Sequence, residues 1–147
     1  MVEKDKILAI GSDHAGYELK KLLLPFLESL GYKIKDFGAF SSESVDYPDI
    51  AHPLASSIED KTCGFGILIC GTGNGVNMAA NKHKEIRSAL CWNNEIARFA
   101  IEHNNANIIA LPARFIDFLT AKEIIETALF SSFEAGRHQL RVEKINC

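Results

Sequence analysis

The chain has 147 residues, 47% of them hydrophobic, a content that suits one domain with a substantial apolar core and leaves no room for a second of similar size. Sixteen Lys and Arg residues against nineteen Asp and Glu give a net charge of −3, and the cations form no basic block. Nucleic-acid binding needs a concentrated positive surface, so a nucleic acid is not expected as a partner.

The amino-terminal segment and the cysteines indicate a cytoplasmic protein. The first eleven residues mix acids with lysines around a short apolar run, a pattern of neither a signal peptide nor a transit peptide, and no stretch approaches the length of a membrane span. The four cysteines, Cys63, Cys70, Cys91 and Cys147, form no CxxC pair. We expect reduced thiols, a cytoplasmic location and no membrane contact.

Short apolar runs alternate with segments of helical periodicity along the chain. The apolar runs predict five strands, at residues 7–11, 33–38, 66–71, 88–91 and 107–111. The other segments predict six helices, at residues 17–30, 49–59, 74–82, 93–103, 116–130 and 134–145. This alternation predicts a single α/β domain over residues 1–147, a Rossmann-like three-layer sandwich with helices on both faces of a five-stranded parallel sheet.

Three positions predict where the first two helices begin and end. Pro25 lies inside the first helical segment and predicts a kink or an early stop, and Gly31 is expected to end that helix as a carboxyl-terminal cap. Residues 38–52 lack apolar periodicity and predict an exposed loop, with Asp49 as the cap of the next helix.

Polar residues follow the first strand, in the stretch GSDHAG. In a doubly wound sheet the ligand site lies beyond the carboxyl ends of the strands, so Asp13 and His14 are candidates for ligand contacts. The alternative is that Ser12 or Asp13 only caps the following helix, and these residues alone do not decide between the two.

The third strand leads into the stretch ILICGTGNGVNMAANK, whose glycines lie at positions 71, 73 and 75. Backbone amides of such a loop converge on an anion at a helix amino terminus. The dinucleotide fingerprint needs a sixth-position glycine where Val76 stands, and no Gly-Lys-Ser/Thr follows for a Walker loop. Neither nucleotide motif is therefore present.

Cys70 lies at the end of this strand, directly before the glycines. The amino end of a helix favours the thiolate form of a cysteine, which makes the side chain usable as a base or nucleophile, and Thr72 is placed to hydrogen-bond the thiol. The alternative is that Cys70 is one more small buried hydrophobe. Its position at the strand end favours the catalytic interpretation.

Further candidates flank the fifth strand and the last helix. His103 and Asn104 precede that strand and Arg114 follows it, although a histidine at a helix carboxyl terminus can simply complement the helix dipole. Arg137 and Arg141 are four residues apart, so they repel one another unless an anion such as a phosphate lies between them. The alternative for this pair is a solvated basic face.

No metal centre is predicted. The five histidines, at positions 14, 52, 83, 103 and 138, are scattered, and no HExxH or CxxC spacing occurs. We expect no metal and no cofactor.

Six stretches carry a resemblance to a known family: GSDHAG, DFGAFSSESVDYPDIA, GILICGTGNGVNMAANK, IRSALC, EHNNANIIAL and GRHQLRVEKI. In this order, across nearly the whole chain, they resemble the B-type ribose-5-phosphate isomerases, a family that also contains the galactose-6-phosphate isomerase subunits. The resemblance implies a metal-free homodimer that interconverts ribose 5-phosphate and ribulose 5-phosphate in the pentose phosphate pathway, with active sites at the dimer interface. It leaves open whether dimers pair into tetramers.

The resemblance also implies roles for the candidate residues. Cys70 corresponds to the catalytic base and His103 to the residue that opens the furanose ring, and we place Thr72 and Asp13 with them in the catalytic group. The residues expected to hold sugar oxygens are Asp13, His14, Gly71, Thr72, Gly73, Asn74, Gly75 and Asn104. The residues expected to hold the phosphate are Arg114, Arg137 and Arg141.

One branch of the family uses a glutamate after the glycine loop as its base, and Val76 stands at that position, so Cys70 indicates the cysteine branch. Two alternatives stay open. A six-carbon substrate, such as allose or galactose 6-phosphate, needs the same chemistry, although the galactose enzymes pair two different subunits and typically lack the histidine found here at 103. A non-catalytic nucleotide-binding module would share the architecture, but its sixth-position glycine is missing.

Overall fold

A computed structural model describes all 147 residues and contains one five-stranded sheet. Its strands are β1 (Ile7–Ser12), β2 (Lys33–Asp36), β3 (Phe65–Cys70), β4 (Ser88–Leu90) and β5 (Ile108–Pro112). All neighbouring strands are parallel, and their order across the sheet is β2-β1-β3-β5-β4. The predicted five-stranded parallel sheet is confirmed.

Helices cover both faces of this sheet. They are α1 (Tyr17–Ser29), α2 (Tyr47–Glu59), α3 (Asn74–Ala80), α4 (Asn94–Glu102), α5 (Phe118–Phe130) and α6 (Gln139–Glu143). The buried side chains of α1, α4 and α5 join one apolar cluster, and those of α2 and α3 join a second cluster on the opposite face. The predicted three-layer sandwich is therefore confirmed.

The central strands are buried on both faces, as their near-continuous apolar sequences require. All six residues of β3 and all five of β5 are buried, whereas the residues of the edge strand β2 alternate between exposed and half-buried. No helix of the structure combines the length and the apolar character needed to cross a lipid bilayer.

Helix α1 runs through Pro25 and continues to Ser29, so the early stop offered as one outcome of the proline is wrong. Leu23 and Leu27, on either side of the proline, are fully buried in the larger apolar cluster. Their packing on the sheet stabilises the helix beyond the position where the proline removes a backbone hydrogen bond. The predicted role of Gly31 is confirmed, because it follows the helix with a left-handed φ of +87°.

Helix α2 begins at Tyr47, two residues earlier than predicted. Asp46 occupies the cap position without a side-chain hydrogen bond, and Asp49 lies in the first turn, so the prediction of Asp49 as the cap is wrong. Pro48 lies at the start of the helix, where its missing amide hydrogen would have had no helical partner.

The carboxyl-terminal segment is not the continuous helix predicted for residues 134–145. A 3₁₀ helix at Gly136–His138 precedes the five residues of α6. Ala135 and Gly136 have φ values of +55° and +50°, and this left-handed backbone is incompatible with a helix that starts at residue 134.

A buried lysine fixes the chain that leaves β2. The side chain of Lys20 is 1% exposed, and its Nζ lies 2.7 Å from Asp36 Oδ1 and 2.6 Å from the carbonyl oxygen of Ala39. Asp36 also accepts a hydrogen bond from the amide of Gly38, and the amide of Ala39 donates to the carbonyl of Ser12. The ammonium group thus holds residues 36–39 against the carboxyl end of β1.

Replacing this lysine should destabilise the fold far more than replacing its neighbour. Lys20→Met leaves Asp36 and a buried carbonyl without their cation, and should lower the free energy of unfolding by about 3 kcal/mol. Lys21→Met removes an exposed pair with Glu18 and an ammonium contact with the Tyr17 ring, and should cost no more than about 1 kcal/mol. Urea titrations of both variants measure these changes. Equal losses of unfolding free energy would contradict a stabilising role of the contacts made by the Lys20 ammonium group.

Candidate active site

The candidate site lies where β1 and β3 end, side by side at the middle of the sheet. The chain adds β2 on one side of β1 and then adds β3 on the other side. The order in which strands are added to the sheet therefore reverses at this point, which is where doubly wound folds bind ligands. Cys70 is the last residue of β3, and Asp13 follows β1 with its amide donating to the carbonyl of Ile69. The topology therefore brings these two side chains to one crevice.

This crevice is a cavity of about 280 Å³ that joins residues from four parts of the chain. Its lining residues are Asp13, His14, Ala15, Tyr47, Cys70, Gly71, Thr72, Gly75 and Arg114. A larger cavity of about 620 Å³ lies elsewhere, beside the carboxyl-terminal residues, and Asn104 is the only candidate residue that lines it. We take the smaller cavity as the candidate site because the polar strand-end residues converge there.

Cys70 is 4% exposed, and its thiol accepts a hydrogen bond from the amide of Gly73 at 3.1 Å. The predicted hydrogen bond from Thr72 is wrong, because the Thr72 hydroxyl instead accepts from the amide of Asn74 at 3.2 Å. A backbone amide aimed at the sulfur stabilises developing negative charge on it. The thiol is thus held at the edge of the cavity by the loop that follows it.

Other parts of the site occupy the space that the loop glycines leave free. A Cβ atom on Gly71 would lie 3.1 Å from Arg114 Nη1, and one on Gly75 would lie 2.7 Å from the Tyr47 ring. Gly73 has a φ of +76°, and a Cβ there would collide with the Leu90 side chain. The glycines therefore let an arginine and a tyrosine approach the loop backbone closely.

Asp13 has the capping role that the sequence left open. Its carboxylate accepts from the amide of Gly16 at 3.1 Å, at the start of the 3₁₀ helix His14–Gly16, and yet the residue also lines the cavity. His14 is exposed, and its Nδ1 accepts from the amide of Val45 at 3.4 Å. Capping fixes the Asp13 side chain without removing it from the site.

Two residues that line the cavity, Ala15 and Tyr47, are not among the sequence candidates, and Tyr47 is the one with a polar side chain. It is 41% exposed and lies at the start of α2, with its ring against Gly75. The segment around it was predicted to be a loop, and an aromatic residue in a loop gives no periodic signal. Only the earlier start of α2 brings this side chain to the cavity.

A second group of candidate residues lies away from this cavity. The rings of His103 and His138 are stacked with centroids 4.2 Å apart, and Glu134 Oε2 lies 3.8 Å from His103 Nε2 and 3.6 Å from His138 Nε2. The Nε of Arg137 donates to His138 at 3.5 Å. None of these residues, nor Arg141, lines the cavity at Cys70.

This second group favours an anion over a metal ion. His103, Glu134 and His138 offer three ligand atoms within 4.8 Å of one another. Burial lowers the pKa of His138, the charges of His103, Arg137 and Arg141 lower it further, and Glu134 acts in the opposite direction. Because positive charge dominates around the imidazoles, a divalent cation would be repelled there, whereas a phosphate would be attracted.

The connectivity explains why the two groups are apart. Cys70 ends β3 and Arg114 follows β5, both at the carboxyl ends of the strands. Helix α4 instead carries the chain back along the sheet for nine residues, about 13 Å, before His103 caps its end. His103 and Asn104 therefore lie toward the opposite edge of the sheet from the Cys70 cavity. A single copy of the chain does not bring the two groups together.

Comparison with known proteins places the chain in a family. The family model described as Ribose/Galactose Isomerase matches residues 8–145 of the chain. The chain belongs to the ribose/galactose isomerase family.

Relatives in this family match over almost their whole length. The chain is 39% identical to ribose-5-phosphate isomerase B of Escherichia coli K12, over 95% of this chain and 94% of that protein. The structure of Clostridium thermocellum ribose-5-phosphate isomerase B superposes with a TM-score of 0.93 at 47% identity, covering 95% of this chain and 94% of that one. The structure of ribose-5-phosphate isomerase B from Mycoplasma genitalium with bound ribulose-5-phosphate superposes with a TM-score of 0.90 at 39% identity. The match covers 95% of this chain and 93% of that one.

The glycine loop of this family member should tolerate no side chain at residue 73. Gly73→Ala combines left-handed backbone strain with a collision against Leu90, whereas Gly31→Ala has the same sign of φ and no atom within 4 Å. We expect Gly31→Ala to cost about 1 kcal/mol of stability and Gly73→Ala clearly more. Thermal and urea unfolding measure the difference, and equal costs would show that the packing of the loop contributes nothing.

Proposed function

We propose that this chain is an aldose-ketose isomerase that interconverts D-ribose 5-phosphate and D-ribulose 5-phosphate in the non-oxidative pentose phosphate pathway. The observation that carries the proposal is the position of Cys70, at a strand end, hydrogen-bonded by the Gly73 amide and lining one cavity with Asp13 and Arg114. Family membership and the ribulose-5-phosphate named for the Mycoplasma genitalium structure support the same substrate class.

The reaction needs one base and a stabilised oxyanion. As a thiolate, Cys70 takes the proton from C2 of the open-chain aldose, which gives a cis-enediolate, and returns it to C1. The hydroxyl proton of O2 passes to O1 in the same conversion, which leaves the carbonyl at C2 and gives the ketose. The enediolate oxygens carry the negative charge, and we propose that the amides of residues 71–75 stabilise them. Asp13, His14, Thr72 and Asn74 would hold the remaining sugar oxygens.

Ring opening is a separate acid-base step that needs a second titratable group. His103 is our candidate, because an imidazole can both donate and accept the proton that passes between the C1 hydroxyl and the ring oxygen. Asn104 follows it in the chain and would contact the same end of the sugar. Since neither residue lines the cavity at Cys70, we propose that a second copy of the chain supplies them.

We propose a homodimer in which each active site combines both groups. Three aromatic side chains at the carboxyl edge of the sheet support a covered surface: Phe40 is 75% exposed, Trp92 51% and Phe115 72%. In this arrangement Arg114 of one chain and Arg137 and Arg141 of its partner would hold the phosphate, whose charge offsets the repulsion among the arginines. Each chain would form a single isomerase domain of residues 1–147, in a cytoplasmic enzyme, with tetramers as a further level of assembly.

Cys70→Ala should abolish exchange of the substrate C2 proton with solvent while sugar-phosphate binding survives. Loss of a general base should reduce turnover by about 10²–10⁴-fold. Solvent deuterium incorporation into ribose 5-phosphate measures exchange, and the thermal shift with the same sugar measures binding. Cys147→Ala, at an exposed cysteine, is the control and should behave as wild type. Undiminished exchange in Cys70→Ala would disprove the role of the thiol.

Two inactive variants should complement one another if the site is shared. Co-expressed Cys70→Ala and His103→Gln chains should recover about a quarter of wild-type activity, because half of randomly paired dimers are mixed and each mixed dimer holds one intact site. A Cys70→Ala chain co-expressed with the Cys70→Ala/His103→Gln double variant should recover none. Absence of complementation, with mixed dimers demonstrated by two affinity tags, would place both residues in sites built by one chain.

Comparison of kcat/KM on a five-carbon and a six-carbon sugar phosphate tests the alternative that the substrate is a hexose phosphate. Both substrates need the same proton transfer, so only the fit of the longer sugar between the base and the phosphate-binding arginines distinguishes them. We expect a higher kcat/KM for ribose 5-phosphate than for allose 6-phosphate. The reverse order would identify a hexose phosphate isomerase with the same catalytic residues.

A further inference from the structure

Outside the candidate site, two histidines and a glutamate form a chain of short contacts on the outer side of α2. Glu59 Oε2, at the end of α2, lies 2.8 Å from His83 Nδ1. The other ring nitrogen of this histidine, His83 Nε2, lies 2.9 Å from His52 Nδ1. His83 is 24 positions from Glu59 and 31 positions from His52 in the sequence, so no short motif predicts these contacts.

The carboxylate fixes which nitrogen of His83 is free to bind a ligand. One oxygen of Glu59, Oε2, contacts His83 Nδ1, and the other, Oε1, accepts from the amide of Glu85 at 3.1 Å. An ionised carboxylate can only accept, so His83 Nδ1 carries the proton and His83 Nε2 presents its lone pair toward His52. A carboxylate that orients a histidine in this way is the usual outer partner of a metal-binding imidazole.

The separation of the two facing nitrogens suits one metal ion. Imidazole nitrogens bind Zn²⁺ at about 2.0–2.1 Å, so two of them at adjacent positions around one ion are about 2.8–3.4 Å apart. The observed distance is 2.9 Å. The rings are inclined by 42°, and His52 is exposed on α2, where its ring can turn toward a shared ion.

We propose that His52 Nδ1 and His83 Nε2 chelate one late divalent transition-metal ion of the Zn²⁺, Ni²⁺ or Cu²⁺ class, with Glu59 orienting His83. Binding replaces the hydrogen bond between the two rings, and His52 moves its proton from Nδ1 to Nε2. Water completes the coordination. Soft and borderline ions suit imidazole donors, whereas Mg²⁺ prefers oxygen and should not bind here.

The charges around this site permit a cation, unlike those around His103 and His138. Lys82 and Lys84 flank His83, but the carboxylates of Glu59 and Glu85 offset them. None of the three proposed site residues lines the cavity at Cys70. A bound ion would tie α2 to the turn after α3, and would therefore stabilise the folded state without entering the candidate active site.

Calorimetric titration of the full chain with Zn²⁺ tests the site, in a Cys147→Ser background that removes the exposed thiol. We expect His52→Asn to lose one bound ion and Glu59→Gln to bind that ion about 10–100-fold more weakly. The melting temperature should rise with Zn²⁺ and not with Mg²⁺, and the rise should vanish in His52→Asn. Unchanged binding in His52→Asn, or no binding at all, would overturn the proposal.

A structural measurement locates the ion independently of the variants. Anomalous diffraction at the zinc edge, from crystals grown with Zn²⁺, should give a peak between the rings of His52 and His83. A peak only at His103 and His138 would overturn the proposal. Since His52 is exposed, its asparagine variant should keep the metal-free melting temperature, which separates loss of the site from loss of the fold.

Discussion

The direction of the strands determines which residues can meet. In a parallel sheet every strand ends at the same edge, and every connecting helix must carry the chain back to the other edge. Residues at or just beyond the carboxyl ends of β1, β3 and β5 therefore gather into one site, as Asp13, Cys70 and Arg114 do. A residue at the end of a connecting helix, such as His103, lies at the opposite edge of the sheet and therefore far from that site in its own chain.

This constraint explains which parts of the structure were predictable. Strand positions followed from short apolar runs, and the strand-end candidates followed from the rule that such folds bind ligands at that edge. Those inferences need only local sequence and topology. The separation of His103 from Cys70 also follows from topology, once α4 is known to run its full length between them.

The features that sequence reasoning missed depend on contacts between distant segments. Tyr47 reaches the site because α2 starts early, and the Cys70 thiol is bonded by the Gly73 amide and not by Thr72 because the loop turns through a left-handed residue. The His52–His83 contact joins residues with no shared periodicity. Hydrogen-bond partners of this kind are set by the packed backbone, which no single stretch of sequence specifies.

The burial of Lys20 has a consequence for how the protein responds to salt. Dissolved ions weaken interactions between exposed charges but hardly reach a pair whose cation is 1% exposed, so the end of β1 should keep its arrangement as ionic strength rises. Arg114, Arg137 and Arg141 are all exposed, and their attraction for a phosphate is open to screening. As the salt concentration rises, the affinity for a sugar phosphate should therefore decline, whereas the structure around Asp13 should not change.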